Sequence, residues 1–104
     1  MSVTYEVNLN VEKSIEKDFE KWLVAHISDV LAIDGFESAH WYKVTTDSTS
    51  HVDWTVDYVL RDQLALDSYL EKHAPRLRQP AKDQFGERFK ADRRVKTPVK
   101  SYQK

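Results

Sequence analysis

The chain has no cysteine, and glycine occupies only two of its 104 positions. Without cysteine there can be no disulfide, thiolate metal site, cysteine nucleophile or CxxC redox pair. Gly35 and Gly86 are too few for a Walker loop or a GxGxxG turn, because both loops need several residues without a Cβ where backbone N–H groups approach phosphate. These absences exclude dithiol redox proteins and two common classes of nucleotide-binding fold.

A long hydrophobic run is also missing, since no stretch approaches the roughly 18 apolar residues that would cross a bilayer. The chain passes almost directly from Met1 into a strand pattern, without the basic start and apolar core of a signal peptide. Hydrophobic residues nevertheless make up 40% of the chain and aromatic residues 12%, which is enough to close a core. We therefore expect one soluble cytoplasmic domain spanning residues 1–104.

The net charge of −1 hides a strong division along the chain. Residues 1–75 hold 6 basic and 14 acidic side chains, whereas residues 76–104 hold 10 and 3. A basic segment of this kind can bind an acidic partner. Here the aromatic residues fall in core positions and do not interleave with lysine and arginine on an exposed face, so no nucleic-acid partner is predicted.

Hydrophobic periodicity predicts four strands and two helices. Apolar residues alternate over 3–11, 36–46, 51–60 and 91–99, and the polar segment 47–50 closes a hairpin between the second and third strands. Apolar residues three and four apart indicate a first helix from Ile15 to Leu31 and a second that starts at Asp62. Pro75 should end or redirect the second helix, and Pro80 opens a short helical turn after it.

This element order predicts an α+β, ferredoxin-like βαββαβ fold, in which an antiparallel four-stranded sheet carries both helices on one face. The sheet order of that topology is fourth, first, third, second. The register of the second strand stays open, because Phe36, Tyr42 and Val44 favour one face while Ala39 and Trp41 fall on the other. In the favoured register, Ala39 and Trp41 lie on the face away from the helices.

Two blocks of the chain carry a family likeness. The first joins residues 5–11 to Trp22, His26-Ile27, Val30-Leu31 and Gly35-Phe36, and the second contains Tyr69-Leu70, His73-Ala74-Pro75, Leu77-Arg78, Phe85-Gly86, Arg88 and Arg93. In these residues the chain resembles a family of small bacterial proteins described only as a domain of unknown function and related to the dimeric α/β-barrel superfamily. The resemblance implies a ferredoxin-like subunit that pairs sheet to sheet with a second copy, and it implies no established reaction.

The wider superfamily includes cofactor-independent monooxygenases and haem-degrading enzymes, which place an Asn, a Trp and a His around a pocket between sheet and helices. The nearest residues here are Asn8, Trp54 and His73. Asn8 alternates with apolar neighbours and should point away from the helices, whereas Trp54 belongs to the apolar set that faces them. An oxygenase with a histidine as base is therefore an alternative function, and whether the protein is an enzyme stays open.

Three ionisable residues fall in otherwise apolar positions on the helix side of the sheet. His26 and His73 lie on the apolar faces of the two helices, where their imidazoles could approach each other. Arg93 takes the inward alternation of the last strand, where a guanidinium needs a partner such as a ligand carboxylate. We predict that these residues, with Tyr42 and Tyr58, line a site for a small, partly apolar or aromatic molecule. Two histidines without a third ligand predict no metal, and no cofactor is predicted.

A structural role for the same residues is the other alternative. Each histidine could pack in the core with one hydrogen bond, and Arg93 could extend to solvent from an edge strand. Arg76 and Arg78 are predicted to cap the end of the second helix. The protein would then be a structural or partner-binding module without a ligand.

The sheet face away from the helices should carry mixed charge. It is predicted to present Glu6, Asp53, Arg94 and Lys96, joined by Trp41 in the favoured register. A bare sheet face is usually covered, and mixed charge can match itself across a two-fold axis. We therefore predict a homodimer formed through this face. In the predicted strand order, the basic side chains after residue 75 also lie beside acidic ones from earlier strands.

Overall fold

Four strands form one antiparallel sheet, and three helices cover one of its faces. The computed structural model describes residues 1–104, and its strands span Val3–Glu12 (β1), Phe36–Val44 (β2), His51–Leu60 (β3) and Phe89–Lys96 (β4). The helices span Glu16–Leu31 (α1), Gln63–Lys72 (α2) and Ala74–Phe85 (α3), with single 3-10 turns at Lys13–Ile15 and Gly86–Arg88. The sheet order is β2-β3-β1-β4, so the predicted α+β ferredoxin-like fold and its strand order are confirmed. None of the helices has the length and apolar character that crossing a membrane requires.

The core lies between the helices and the two central strands. Along β3 every second side chain is buried, from Val52 to Leu60, and β1 supplies Tyr5 and Leu9 opposite Tyr58 and Trp54. The period of two predicted for both strands is therefore observed. We call the sheet face away from the helices the open face.

Strand β2 carries a bulge at its start. Its pairing with β3 places Phe36 opposite Leu60 and then shifts before Ser38, so that Ala39 lies opposite Tyr58. The extra residue lets Phe36 and Ala39, which are three positions apart, both face the helices. This irregularity explains why simple alternation does not yield the register of β2.

The bulge overturns the face assigned to the middle of β2. Trp41 lies opposite Val56 and packs edge to face against Trp54, with ring centroids 5.1 Å apart. The prediction that Ala39 and Trp41 lie on the open face is therefore wrong. Tyr42, opposite Thr55, takes that position instead.

The second predicted helix is divided into two, which makes the order βαββααβ. Helix α3 starts at Ala74 and holds Pro75 in its first turn, where the missing N–H removes no helical hydrogen bond. Pro80 lies inside α3, although the sequence predicts only a short turn there. The helix continues because Ala81 and Phe85 beyond the proline are buried against the core, and packing offsets the lost hydrogen bond.

Gly35 fixes the approach of α2 to the turn between α1 and β2. Its φ is +95°, and a Cβ at this position would lie 2.4 Å from the Cβ of Ala65. The Gly35 carbonyl accepts a hydrogen bond from the Arg61 N–H at 2.8 Å. Asp62 then caps α2, since its side chain accepts from the Ala65 N–H at 2.9 Å. A side chain at residue 35 would therefore meet both backbone strain and a clash.

Candidate ligand-binding cavity

A cavity of about 630 Å³ lies between the sheet and helices α1 and α3. This volume is within the range of roughly 300–1,000 Å³ that is typical of small-molecule sites. Apolar side chains form most of its wall, among them Val7, Leu9, Phe19, Trp22, Leu23, Val56, Phe89 and Ala91. Its polar groups come from His26, from three tyrosines (Tyr5, Tyr58, Tyr69) and from two arginines (Arg78, Arg93).

An aromatic cluster centred on Phe19 closes the apolar end of the cavity. Phe19 is fully buried, and its ring centroid lies 4.9 Å from that of Phe89, 5.1 Å from Phe85 and 5.3 Å from Trp22. Spacings of three and four residues along α1 bring Phe19, Trp22 and His26 to the same side of the helix. The cavity is thus bounded by rings held in place by α1, α3 and β4.

The half-buried His26 imidazole stacks on Trp22, with ring centroids 4.5 Å apart and an interplanar angle of 19°. Burial lowers the pKa of His26 to about 4, because the charged form loses water. Asp29 opposes this effect, whereas Arg93 and Arg78 add to it. The imidazole is therefore neutral near pH 7.

Three tyrosines meet on the cavity wall formed by β1, β3 and α2. The ring centroid of Tyr5 lies 6.2 Å from that of Tyr58 and 6.0 Å from that of Tyr69. Burial raises the pKa of Tyr69 to about 12 and raises the pKa of Tyr58 well above its usual range. Both phenols stay protonated at neutral pH and can donate hydrogen bonds.

Two arginines, Arg78 from α3 and Arg93 from β4, line the cavity beside these tyrosines. Arg78 Nη2 donates a hydrogen bond to the Tyr5 hydroxyl at 2.6 Å. Burial lowers the pKa of the Arg93 guanidinium, and Tyr5 opposes that effect. Neither arginine forms an ion pair, in contrast to Arg61, Arg94 and Lys96. We call Arg78 and Arg93 the arginine pair.

The structure brings three of the five predicted site residues to one cavity, namely His26, Tyr58 and Arg93. His73 does not line it. It lies at the junction of α2 and α3, where its Nδ1 contacts the Arg76 guanidinium. Because α2 ends before His73, the helical spacing that placed both imidazoles over the sheet does not extend to this residue.

Tyr42 does not reach the cavity either. It lies on the open face, opposite Thr55, and it is 53% exposed. The bulge in β2 is the reason, since it reverses the alternation on which its inward placement depended.

Arg78 lines the cavity, although the sequence predicts it to cap the end of the second helix. That prediction is wrong, because α3 continues past Arg78 and directs it to Tyr5. A signal for its placement was present in the spacing of the buried residues Ala74, Ala81 and Phe85, since Arg78 lies four residues after the first and three before the second. Because Pro80 is predicted to start a separate turn, these four positions are not recognised as one face of a single helix.

The residues that correspond to superfamily oxygenases do not converge. Asn8 points to the open face, where it accepts from Thr55 Oγ1 at 2.9 Å and donates to Glu6 Oε2 at 2.8 Å. Trp54 faces the helices, and His73 lies at a helix junction. No group of three or more His, Asp or Glu side chains is placed to hold a metal ion.

The open face carries an ion-pair network around Glu6, which is only 5% exposed. Arg94 and Lys96 from β4 both pair with its carboxylate, and Lys96 also reaches Asp57. Hydrogen bonds from Arg94, then from Asn8 and Lys96, lower the pKa of Glu6 to about 2. The predicted match between late basic and early acidic residues is therefore confirmed at Glu6.

Asp53, which was also predicted to meet basic residues on the open face, has a different partner. Its Oδ1 accepts a hydrogen bond from Asn10 Nδ2 at 2.7 Å. Asn10 lies directly opposite Asp53 in the β1–β3 register, whereas the basic side chains of β4 lie one strand further away. The charge match is thus centred on the β1–β4 edge of the sheet.

The element order and the sheet topology define a ferredoxin-like α+β domain with a cavity between helices and sheet. The chain belongs to the family described as Domain of unknown function (DUF4286), which it matches over residues 2–99. This confirms the resemblance to a family without an assigned reaction. No curated protein matches the chain.

Solved structures share this fold at low sequence identity. SnoaB, a cofactor-independent oxygenase from Streptomyces nogalater, has a TM-score of 0.72 and 13% identity, with 100% of both chains covered. Rv0793 from Mycobacterium tuberculosis has a TM-score of 0.69 and 19% identity, covering 99% of this chain and 100% of that one. An ethyl tert-butyl ether d (EthD) family protein from Bacillus halodurans has a TM-score of 0.68 and 11% identity, covering 95% and 100%. At these identities the likeness establishes the fold, and function has to be argued from the site.

Proposed function

We propose that the protein is a homodimer that binds a small, partly apolar or aromatic molecule in the cavity between helices and sheet. The observation that carries this proposal is the cavity of about 630 Å³, which has aromatic walls and a few convergent polar groups. Filling such a space removes apolar surface from water and restores the dispersion contacts that an empty cavity forgoes.

Three predicted site residues have distinct tasks in this proposal. His26, held flat against Trp22, offers a neutral ring and nitrogen atoms that can accept or donate a hydrogen bond. Tyr58 offers a protonated hydroxyl. Arg93 offers a guanidinium at the edge strand, where the cavity meets solvent. A bound molecule would thus have its apolar body against the aromatic cluster and its polar atoms towards these groups.

The experiment that tests binding uses 2-naphthamide, a neutral aromatic probe, and follows it by isothermal titration calorimetry. We expect saturable binding to the wild type and its loss in Ala91→Phe, which fills the cavity from β4. Ala25→Phe, the same change at an exposed position of α1, is the matched control and should bind normally. Unchanged binding by a folded Ala91→Phe variant would contradict the proposal.

Self-association through the open face is the second part of the proposal. In place of Trp41, this face presents Tyr42, with Val44 also exposed at the same end of β2. Exposed aromatic and aliphatic side chains beside an internally paired charge network are typical of a surface that another copy covers. Glu6, Arg94 and Lys96 already pair with one another in one subunit, so they do not require a partner for neutralisation.

Sedimentation velocity tests this interface. The wild type should sediment as a dimer, and Tyr42→Glu should sediment as a monomer because it adds an unpaired carboxylate to the surface that the second copy would cover. Tyr102→Glu, at a tyrosine that is 82% exposed near the C-terminus, is the control that should leave the dimer intact. A monomeric wild type, or a dimeric Tyr42→Glu, would overturn this part.

A cofactor-independent oxygenase is the second candidate function, and His26 is the observation that favours it. A neutral imidazole on a cavity wall can accept the O–H proton of a bound phenol or quinol, and the resulting electron-rich phenolate would then be oxidised by dioxygen, which is reduced. A conjugate acid with a pKa of about 4 is, however, a poor match to neutral pH, where an efficient general base has a pKa near the working pH. For this reason ligand binding ranks first.

Incubation with haem or with an aromatic quinol in aerated buffer distinguishes the two functions. Binding alone predicts that the quinol is oxidised and dioxygen is consumed no faster than in the same buffer without protein. Turnover that disappears in His26→Ala, while Ala25→Gly retains it, would establish the oxygenase instead.

A further inference from the structure

We propose that the cavity selects aromatic or apolar molecules that carry a carboxylate, and that the arginine pair holds that carboxylate. This inference rests on the proposed function and specifies the ligand class of the same site. It follows from the placement of two guanidinium groups, from different elements, on the polar side of an otherwise apolar cavity.

The arginine pair lacks the carboxylate partners that Arg94 and Lys96 have on the open face. Arg78 donates to the Tyr5 hydroxyl, and Arg93, opposite the apolar Val7, has that same hydroxyl as its hydrogen-bond partner. A guanidinium that is partly removed from water needs an anion or several acceptors to offset lost hydration. Two such groups at one cavity leave positive charge that no neighbouring carboxylate neutralises.

The remaining charges around the cavity have the same sign, with one exception. Lys82 also lines it, whereas Glu87 is the single acid among the lining residues; Lys90 borders the cavity but lies opposite Asn10, so its side chain points to the open face. Glu87 forms no ion pair with either member of the arginine pair, so its carboxylate does not satisfy them. The electrostatic potential in the cavity is therefore positive and favours a bound anion.

A carboxylate fits this arrangement better than a compact inorganic anion does. Guanidinium groups bind carboxylates through paired N–H donors, and the Tyr5 hydroxyl can donate to the same group while it accepts from Arg78. The adjoining space is apolar and bounded by the Phe19 aromatic cluster, which would gain nothing from phosphate alone. The body of an aromatic acid would occupy that space next to His26.

The test compares 2-naphthoate with 2-naphthamide, which differ little in size and differ by one charge. Calorimetry at low ionic strength should show wild-type binding of the acid about tenfold or more tighter than that of the amide, as one charge-assisted contact provides. Arg78→Gln and Arg93→Gln should each lower the ratio of acid affinity to amide affinity about tenfold. In two-dimensional NMR, the His26 ring signals should shift with both probes.

Arg88→Gln is the matched control, because Arg88 is exposed, lies in the adjacent 3-10 turn and does not line the cavity. If it weakens naphthoate as much as the cavity variants do, net charge explains the effect and the assignment of the arginine pair is wrong. If wild-type protein binds acid and amide equally, the carboxylate selectivity is wrong while the proposed cavity function stands. Failure of both probes to bind would overturn the cavity function and this inference together.

Discussion

Arg93 and Arg94 are neighbours on β4, yet their environments differ completely. Arg94 points to the open face and pairs with the buried carboxylate of Glu6, its cross-strand partner. Arg93 points to the cavity, where its cross-strand partner is Val7. At this edge of the sheet, the open face therefore has a cation paired with a carboxylate, and the cavity side has a cation without an anion. Charge on the open face is therefore paired within the fold, whereas the Arg93 guanidinium at the cavity has no carboxylate partner.

The largest effect should come from giving Arg93 the partner that Arg94 already has. Val7→Glu places a carboxylate opposite Arg93, as Glu6 lies opposite Arg94. An internal ion pair would then compete with 2-naphthoate, and the added charge would repel it. We expect the affinity for 2-naphthoate, measured by calorimetry, to fall on the order of a hundredfold.

Val7→Gln is the control for size and polarity at this position. It should keep the preference for the acid over the amide, because it leaves the arginine pair without a carboxylate. Equal weakening of 2-naphthoate by Val7→Gln and Val7→Glu would mean that shape, and not charge, controls the cavity.

An intermediate effect should follow from removing the anion of the open face. Glu6→Gln loses both ion pairs, but the side chains of Arg94 and Lys96 are 69% and 44% exposed, so solvent screens the interaction. We expect a loss of about 1 kcal/mol in the free energy of unfolding at pH 7, measured by urea denaturation. Glu12→Gln, at the end of the same strand, should change the free energy of unfolding by less than about 0.5 kcal/mol.

The pH profile of this loss gives a sharper check. The pKa of Glu6 is lowered from its ordinary value of 4.5 to about 2, so its contribution to stability is present above pH 4.5 and is lost as the pH falls towards 2. The wild type and Glu6→Gln should therefore differ in stability at pH 7 and converge near pH 2. A difference that does not change between these values would show that the carboxylate charge is not the cause.

The smallest expected effect is a difference in Tm between variants of the two neighbouring arginines. Arg94→Gln should lower Tm slightly, by less than Glu6→Gln, because Lys96 still pairs with the carboxylate. Arg93→Gln should leave Tm unchanged or raise it, since it removes a partly buried cation without an ion pair. Differential scanning calorimetry in the absence of probes measures both, and a larger loss from Arg93→Gln than from Arg94→Gln would reverse the comparison.

Much of this fold could be predicted from local patterns, and the failures have specific causes. β1 and β3 are central strands with one apolar face, so their alternation indicates both their existence and their orientation. β2 is an edge strand with a bulge, and a bulge has no distinct signature in its alternation. The positions of Trp41 and Tyr42 were therefore assigned to the wrong faces.

The candidate site likewise contains residues that the sequence places correctly and residues that it does not. His26 and Arg93 lie within regular elements, so their spacing places them correctly on the helix side. His73 and Arg78 lie on either side of the start of α3, and their directions depend on where one helix axis ends and the next begins. Proline marks such a region without specifying which residue becomes the junction.

The sequence by itself determined the order of the strands, the sheet topology and the inward position of Arg93, because these follow from hydrophobic periodicity and short connections. Only the tertiary structure decided that Arg78, not His73, joins Arg93 at the cavity, and that Tyr42, not Trp41, faces outward. The physical reason is that a bulge or a helix junction reorients every side chain beyond it, and packing against distant residues selects where it occurs. Opposite Arg94 the chain has Glu6, whereas opposite Arg93 it has Val7 and an open cavity.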